Sequence, residues 1–391
     1  MMNDYRSRQA ARIRLAIADA ERAHNTPPAQ PGRRQTMAIG YSHDPGRELL
    51  AAVTDAIVAR SLGREPSPLR GGIYADSGGL FARLAYACLM RTGRDAGLVP
   101  DDRGRVIDLA MTTSDFAFAL RGVANKVLLD SYQSAAVTYP RFAARKDFRS
   151  FRTTDLVQPV EFPVPLATAE AGEAHLGAFL ESGEVGQLIS YRSRVSISRQ
   201  ALVNDDIGTL GDLATAAAAR CRDLEERLVI ARLESSATLR DGTPLFHSSR
   251  GNLAAAGAAI SATTISAGRA AMLGAVAPGG TKAVAVPKFL LVPPGLLTLS
   301  EVELAKLNPG ADAASRIVPI TSPHLSSSTA WFLLAAAAQR PALVYSRLEG
   351  TPGPVVVTRE SWEDEGIEVA TTLDFGVTAA DPRGGYKNPG A

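Results

Sequence analysis

The sequence predicts an α+β fold, on three observations. From Gln187 to Arg199 apolar and polar side chains alternate with period two; from about 209 to 236 apolar positions recur by threes and fours; beyond Asp241 short helical and short strand patterns interleave. With 391 residues, 46% hydrophobic and 21% charged, the chain has the length of two or three domains and can bury a sizeable core, which excludes wholesale disorder. Forty-two basic against 40 acidic side chains leave a net charge of +2, so any contact with nucleic acid is local.

Residues 1–36 carry seven arginines against three acidic residues, a net +4, and read as a basic helix over about 4–24 followed by a Pro/Gly linker. Glu48 to Arg60 and Gly79 to Arg91 read as short helices, so residues 1–110 form a helical segment with weak cores, either accessory and removable or a small domain. Thr113-Ser114-Asp115 caps a helix running to about Tyr132. Leu156 to Pro163 reads as a strand broken by Pro159 and Pro163, and 166–186 as a loop.

On the Gln187–Arg199 strand, Ile189, Tyr191, Val195 and Ile197 share one face, while Arg192 and Arg194 share the other. Paired with 156–163 it makes a long arm with no core of its own, which needs a second surface to lie on. The helix over 209–236 is the longest, with Leu210, Leu213, Ala214, Ala217, Cys221, Leu224, Leu228 and Ala231 on its apolar side. After the turn Asp241-Gly242-Thr243-Pro244, helices near 264–275 and 294–307 alternate with strands at 289–292, 315–320, 342–347, 355–358 and 366–375.

A search for chemistry yields little. Gly274 to Lys282 mimics a phosphate loop, but Gly280 stands where the lysine is needed and a strand-like run over 283–286 follows in place of a helix. The five histidines have no metal-ligand spacing, and Cys88 and Cys221 support neither a disulfide framework nor a zinc site, so no metal and no cofactor is expected. His247 beside Ser248 and Ser249 lacks a nucleophile elbow and reads as a turn residue. The acids at 360, 363, 364, 365 and 368 read as a solvated strand edge. The opening residues carry no secretory signal pattern, and the longest wholly apolar run, Ala330 to Ala338, is about half a membrane helix. A non-enzymatic building block is expected.

Arg199 to Asp206, then Asp241 to His247 with Gly251-Asn252-Leu253-Ala254, resemble tailed-phage major capsid proteins of the Hong Kong 97-like fold. More narrowly they resemble the Mu-like group, in which a prohead protease is often fused ahead of the shell protein. Thr113 to Phe116, Leu290 to Pro294 and Asp381 to Gly390 are similar to the same group. The resemblance implies an N-arm at 111–154, an extended E-loop at 155–199 and a peripheral domain at 200–242 completed by 361–391. It implies an axial domain at 243–360, with 1–110 ahead of these as an accessory or scaffold-like segment. Ile189, Tyr191, Arg192, Arg194, Val195 and Ile197 would lie on the inter-subunit arm, and Leu210, Leu213, Cys221, Leu224 and Leu228 on the spine helix. The implied function is self-assembly into hexamers and pentamers of an icosahedral shell around double-stranded DNA, in the virion after assembly in the host cytoplasm. The implied partners are a prohead protease, a portal, a decoration protein and packaged DNA in non-specific contact; no membrane is involved. The competing classes are a prohead maturation protease or other hydrolase, and a DNA-binding scaffold.

Overall fold

The computed structural model describes residues 45–391 apart from 68–73, 75–77, 96, 158–182, 205–206, 236–237, 277–281, 283, 308–315 and 361–365. Expectations for residues 1–44 and for the loop between 158 and 182 therefore lie outside the described residues.

Four helices come first: α1 (Pro45–Ser61), α2 (Leu80–Thr92), α3 (Arg103–Met111) and α4 (Ser114–Ser134). Gly93 closes α2 at φ +67, a left-handed cap that an L side chain adopts only under strain. The expected weak cores are not found. Ile57, Leu80, Leu84, Leu89, Val106, Ile107 and Phe116 are all fully buried, and they share one core with Ile197, Leu202 and Ile367. Small residues explain the misreading: Ala56, Ala82, Ala85 and Ala110 let the helices pack closely, so few large apolar side chains are needed to fill the space.

The first sheet holds β1 (Ala143–Arg145), β4 (Ile189–Ser198), β8 (Leu343–Arg347), β9 (Val355–Glu360) and β10 (Gly366–Ala379), in the order β1-β8-β10-β4 with β9 also on β10. Here the expected pairing is corrected. The Gln187–Arg199 strand pairs antiparallel with β10 over ten positions, from Ser198 opposite Gly366 to Ile189 opposite Phe375. Of the expected partner 156–163 only Leu156 and Val157 are described, and these pair with Glu184 and Gly183. Only β2 (Thr154–Val157) and β3 (Gly183–Gly186) form the root of a hairpin. At Gly376 a Cβ would stand 2.3 Å from the Gln187 carbonyl oxygen, so glycine permits the close approach that starts the β4–β10 ladder. The outer edge of β9 is closed by α4: the Asn125 side chain accepts from Val356 N–H at 2.7 Å and donates to its carbonyl at 3.0 Å, imitating a strand neighbour.

A short helix α5 (Arg199–Val203) leads into α6 (Ile207–Glu234), which at 28 residues is about 42 Å long. Its buried residues include Gly211, Ala214, Ala218, Cys221, Glu225, Val229, Ile230 and Leu233, stepping mostly by fours. The expected stripe drifts off this face toward its end: Leu224 and Leu228 are half-buried and Ala231 is exposed. Glu225, a charged residue that the apolar stripe leaves out, stands in the middle of the buried face.

The second sheet has the order β11-β7-β5-β6, formed by Gly385–Asn388, Trp331–Ala335, Pro287–Val292 and Val318–Thr321. Helices α7 (Ala262–Leu273) and α8 (Leu297–Leu307) pack on it through Ile265, Met272 and Leu304 against Leu290, Trp331 and Leu333. β7 is buried at every position and was visible in the sequence only as an apolar run. In the phosphate-loop mimic, Val276 bridges antiparallel to Lys282, and the described residues between Lys282 and Pro287 form neither a helix nor a strand.

Candidate functional site: a motif clasp, a buried ion pair and an exposed arm

The motifs singled out in the sequence converge although about 130 residues separate them. Asn252, almost fully buried, accepts from His247 N–H at 2.9 Å and donates to the Leu245 carbonyl at 2.8 Å and the Pro382 carbonyl at 2.7 Å. The backbone continues the clasp: Lys387 N–H donates to the Asn252 carbonyl and Ala254 N–H to the Lys387 carbonyl, each at 2.9 Å. Asn388 accepts from Ala258 and Gly390 N–H groups. Gly390 sits at φ +76, with its Cβ position 2.1 Å from the Thr329 carbonyl oxygen. Asp381 is bound by Arg383 and Arg340. Burial pushes its carboxyl up, but the Arg383 hydrogen bonds and charge outweigh this and hold it below the usual carboxylate range. His247 Nδ1 accepts from Ser249 N–H at 3.3 Å, as a turn residue does. Asp241 is taken by Arg250 through both carboxylate oxygens.

The second feature was missed in the sequence. Glu225 on α6 is fully buried and meets Arg347 of β8, whose Nη2 lies 3.1 and 3.2 Å from its two oxygens. Tyr132 and Tyr139 donate their hydroxyls to it at 2.6 and 2.9 Å. Arg222 lies over the Tyr132 ring at 3.7 Å and donates to the Tyr132 carbonyl at 2.8 Å. Burial, then the Glu225 charge, raise both tyrosine hydroxyls far above their ordinary range. Burial and the same charge push the Cys221 thiol up to about 11. The signal available in the sequence was an acid four residues from Cys221 and four from Val229, in step with the buried stripe. The arrangement ties α4, α6 and the first sheet together.

The arm residues divide. Ile197 is buried in the helical core and Tyr191 is half-buried against the main core, whereas Ile189 is 54% exposed and Val195 46%. Arg194 pairs with Glu368 at 3.1 Å, Arg359 binds the same carboxylate at 2.6 Å, and Arg192 is exposed. On α6, Cys221 is buried, Leu213 packs on the helical core, and Leu224 and Leu228 pack on the main core; the Leu210 side chain lies outside the described residues. Val185 at the hairpin root is 49% exposed, and Val357 on β9 is 44% exposed. Among the described residues no group of His, Cys, Asp and Glu could hold a metal ion, and no helix is long and apolar enough to cross a membrane.

The polar residues of the clasp and of the buried pair tie elements of one subunit together, while apolar side chains of β3, β4 and β9 stand half-exposed. The family model described as phage capsid protein matches residues 183–388, more than half of the chain, and the chain belongs to that family. Comparison with curated proteins gives no match. Among solved structures it is similar to the virus-like particle of Pyrococcus furiosus, with 12% identity over 68% of this chain and 97% of that one at TM-score 0.39. It is similar also to the procapsid of bacteriophage JBD30, with 14% identity over 71% and 75% at TM-score 0.40. The capsid of cyanophage P-SCSP1u shares 11% identity over 66% and 88% at TM-score 0.40.

Proposed function

We propose that this capsid-family chain is the major head subunit of a tailed phage, with Hong Kong 97-like architecture, assembling as hexamers and pentamers into an icosahedral shell around double-stranded DNA. The observation that carries this reading is the set of apolar side chains held half-exposed on hydrogen-bonded strands: Val185, Ile189, Val195, Val355 and Val357. Strands already fixed in ladders lose little further entropy when a neighbour covers them.

In this reading 155–199 supplies the E-loop, rooted at β2–β3, and α6 is the spine helix of a peripheral domain. The separate core around Ile265, Leu290 and Trp331 supports an axial domain within 243–360. The packing of α1–α3 on α4 supports a permanent helical domain over a removable one, because a cut near 105–115 would fall among the buried Val106, Ile107 and Ala110. The subunit acts without catalysis of its own, in the virion, after assembly in the host cytoplasm. Its other partners, a prohead protease, a portal, a decoration protein and packaged DNA, rest on the family resemblance. Sedimentation and electron microscopy of the purified chain test the reading. Pentamers, hexamers or particles are expected; a monomer or small closed oligomer at every concentration would overturn it.

A further inference from the structure

The first sheet carries opposite charge at its two ends. Residues 141–152, at the β1 end, hold Arg141, Arg145, Lys146, Arg149 and Arg152 against Asp147, a net +4. Residues 360–365, which join β9 to β10, hold Glu360, Glu363, Asp364 and Glu365 around Trp362 with no cation, a net −4.

The basic stretch is anchored. It runs through β1 to a bridge between Phe148 and Leu348, with Lys146 N–H donating to the Tyr345 carbonyl at 3.0 Å and Phe148 N–H to the Arg347 carbonyl at 2.8 Å. Phe142, Ala143 and Phe148 are buried, while all five cations are exposed. Two of them have counter-ions in the chain: Arg145 holds Asp147 through two bonds of 2.8 Å, and Arg149 holds Glu349 at 2.9 Å. Arg141, Lys146 and Arg152 make no ion pair among the described residues. Phe151, beside Arg152, is 43% exposed.

The two ends cannot meet within one subunit. Glu360 is level with Ile367 at the start of β10, whereas Arg145 is level with Tyr345 and through it with Val377. Ten positions of β10 lie between them, roughly 33 Å at about 3.3 Å per residue. The far end of the basic face is no nearer: Arg152 stands two residues before Thr154, whose partner Gly186 has its Cβ position 3.0 Å from the Thr378 hydroxyl. A connection of five residues reaches back at most about 10 Å from its ends, so the acids and the cations of one chain stay apart.

We propose that the acidic connection between β9 and β10 docks on the basic face over 141–152 of a second copy of the chain. The inference rests on the shell reading above and names a head-to-tail contact between its subunits. The charges match in number, −4 against +4, and Trp362 brings an apolar ring for Phe151 to meet. Two acidic connections set against each other would repel, so the contact joins two different patches. Contacts of that kind close into rings or continue into larger assemblies. An exposed basic face also suits a phosphate backbone; the matched acidic connection at the other end of the same sheet favours protein, and DNA contact becomes an outcome of the test.

The test is a disulfide between chains. Cys88 and Cys221 are buried, so thiols introduced by Lys146→Cys and Glu363→Cys are the ones an oxidant reaches. Particles of the double variant, treated with diamide and denatured without reductant, are expected to run as a ladder of joined chains, and those of each single variant as monomers. Monomers alone from the double variant would overturn the proposal. Charge reversal gives a second reading, with circular dichroism establishing that each subunit is folded. Lys146→Glu/Arg152→Glu, which breaks no ion pair among the described residues, and Glu363→Lys/Glu365→Lys are each expected to lower particle yield by about tenfold or more, because like charges then face each other. A folded chain carrying all four changes is expected to recover the yield; its failure to do so would also overturn the proposal. Normal empty shells from Lys146→Glu/Arg152→Glu with loss of bound DNA would assign the face to nucleic acid instead. A wild-type chain that forms no particles would sink the shell reading itself, before any variant is made.

Discussion

Replacing Arg347 by methionine keeps its apolar stem and removes the charge facing Glu225. Buried Glu225 would retain the Tyr132 and Tyr139 hydroxyls at 2.6 and 2.9 Å and the more distant Arg222 cation at 3.5 Å, but lose the cation that contacts both of its oxygens. Stranding one member of a buried pair costs about 3–5 kcal/mol. Glu225→Leu strands Arg347 in the same way and should cost a similar amount. The double variant leaves neither charge behind, so its cost should fall below the sum of the single ones by about 2 kcal/mol or more. Calorimetry of the unassembled subunit reads this as a lowering of Tm by about 6–10 °C for Arg347→Met, at roughly 2 °C per kcal/mol. The pH dependence gives a second readout. Both tyrosine hydroxyls are raised by burial first and then by Glu225, so their contribution is complete below the ordinary tyrosine value of about 10 and is lost as pH rises through the raised folded values. Stability should therefore fall less steeply above that pH in a Tyr132→Phe/Tyr139→Phe chain. A loss of less than about 1 kcal/mol in Arg347→Met, or strict additivity in the double variant, would refute the reasoning.

Asn252→Ala should cost about 2–4 kcal/mol, because it leaves the Leu245 and Pro382 carbonyls and the His247 N–H unpaired beside a buried position; an unchanged thermal midpoint would show that the clasp is dispensable. Cys88 and Cys221 are buried, with thiols pushed up to about 11, so a disulfide reagent at pH 8 should label neither in the folded subunit and both after denaturation. Fast native labelling would contradict that packing. Ile197→Asp should unfold the subunit at a cost of several kcal/mol, since it buries an unpaired carboxylate. Ile189→Asp, at a half-exposed position on the same face, should leave circular dichroism unchanged and block particles; normal shells from it would remove Ile189 from the interface.

The helix over 114–134 and the long helix over 207–234 were legible because large apolar residues at helical spacing mark a buried face wherever the opposite face is wet. Glu225 was not, because periodicity assigns every charge to solvent. Its partners Tyr132, Tyr139 and Arg347 lie 93, 86 and 122 residues away, and nothing local announces them. β7 failed for the opposite reason. A strand buried on both faces has no alternation, and Trp331 to Ala335 could equally have been a helical turn. The Asn252 clasp was legible as a set of motifs but not as a site, since the residues that carried the resemblance act through backbone groups far along the chain.

The strand over 187–199 shows where a pattern stops informing. Alternation fixes which side chains share a face, and Ile197 and Tyr191 do turn toward the cores. It says nothing about which strand lies alongside. The nearer candidate, 156–163, carries Pro159 and Pro163, each lacking an N–H for a ladder. β10 offers fourteen residues without proline, a glycine where Gln187 must approach, and Glu368 where Arg194 and Arg359 converge from either side. Ten ladder positions with that charge set between them form despite the entropic cost of closing a loop of more than 160 residues, because closure entropy grows only with the logarithm of length. The apolar face of β4 is thereby split. Its Ile197 end is used up inside the subunit, and its Ile189 and Val195 side chains remain half-exposed for a neighbour.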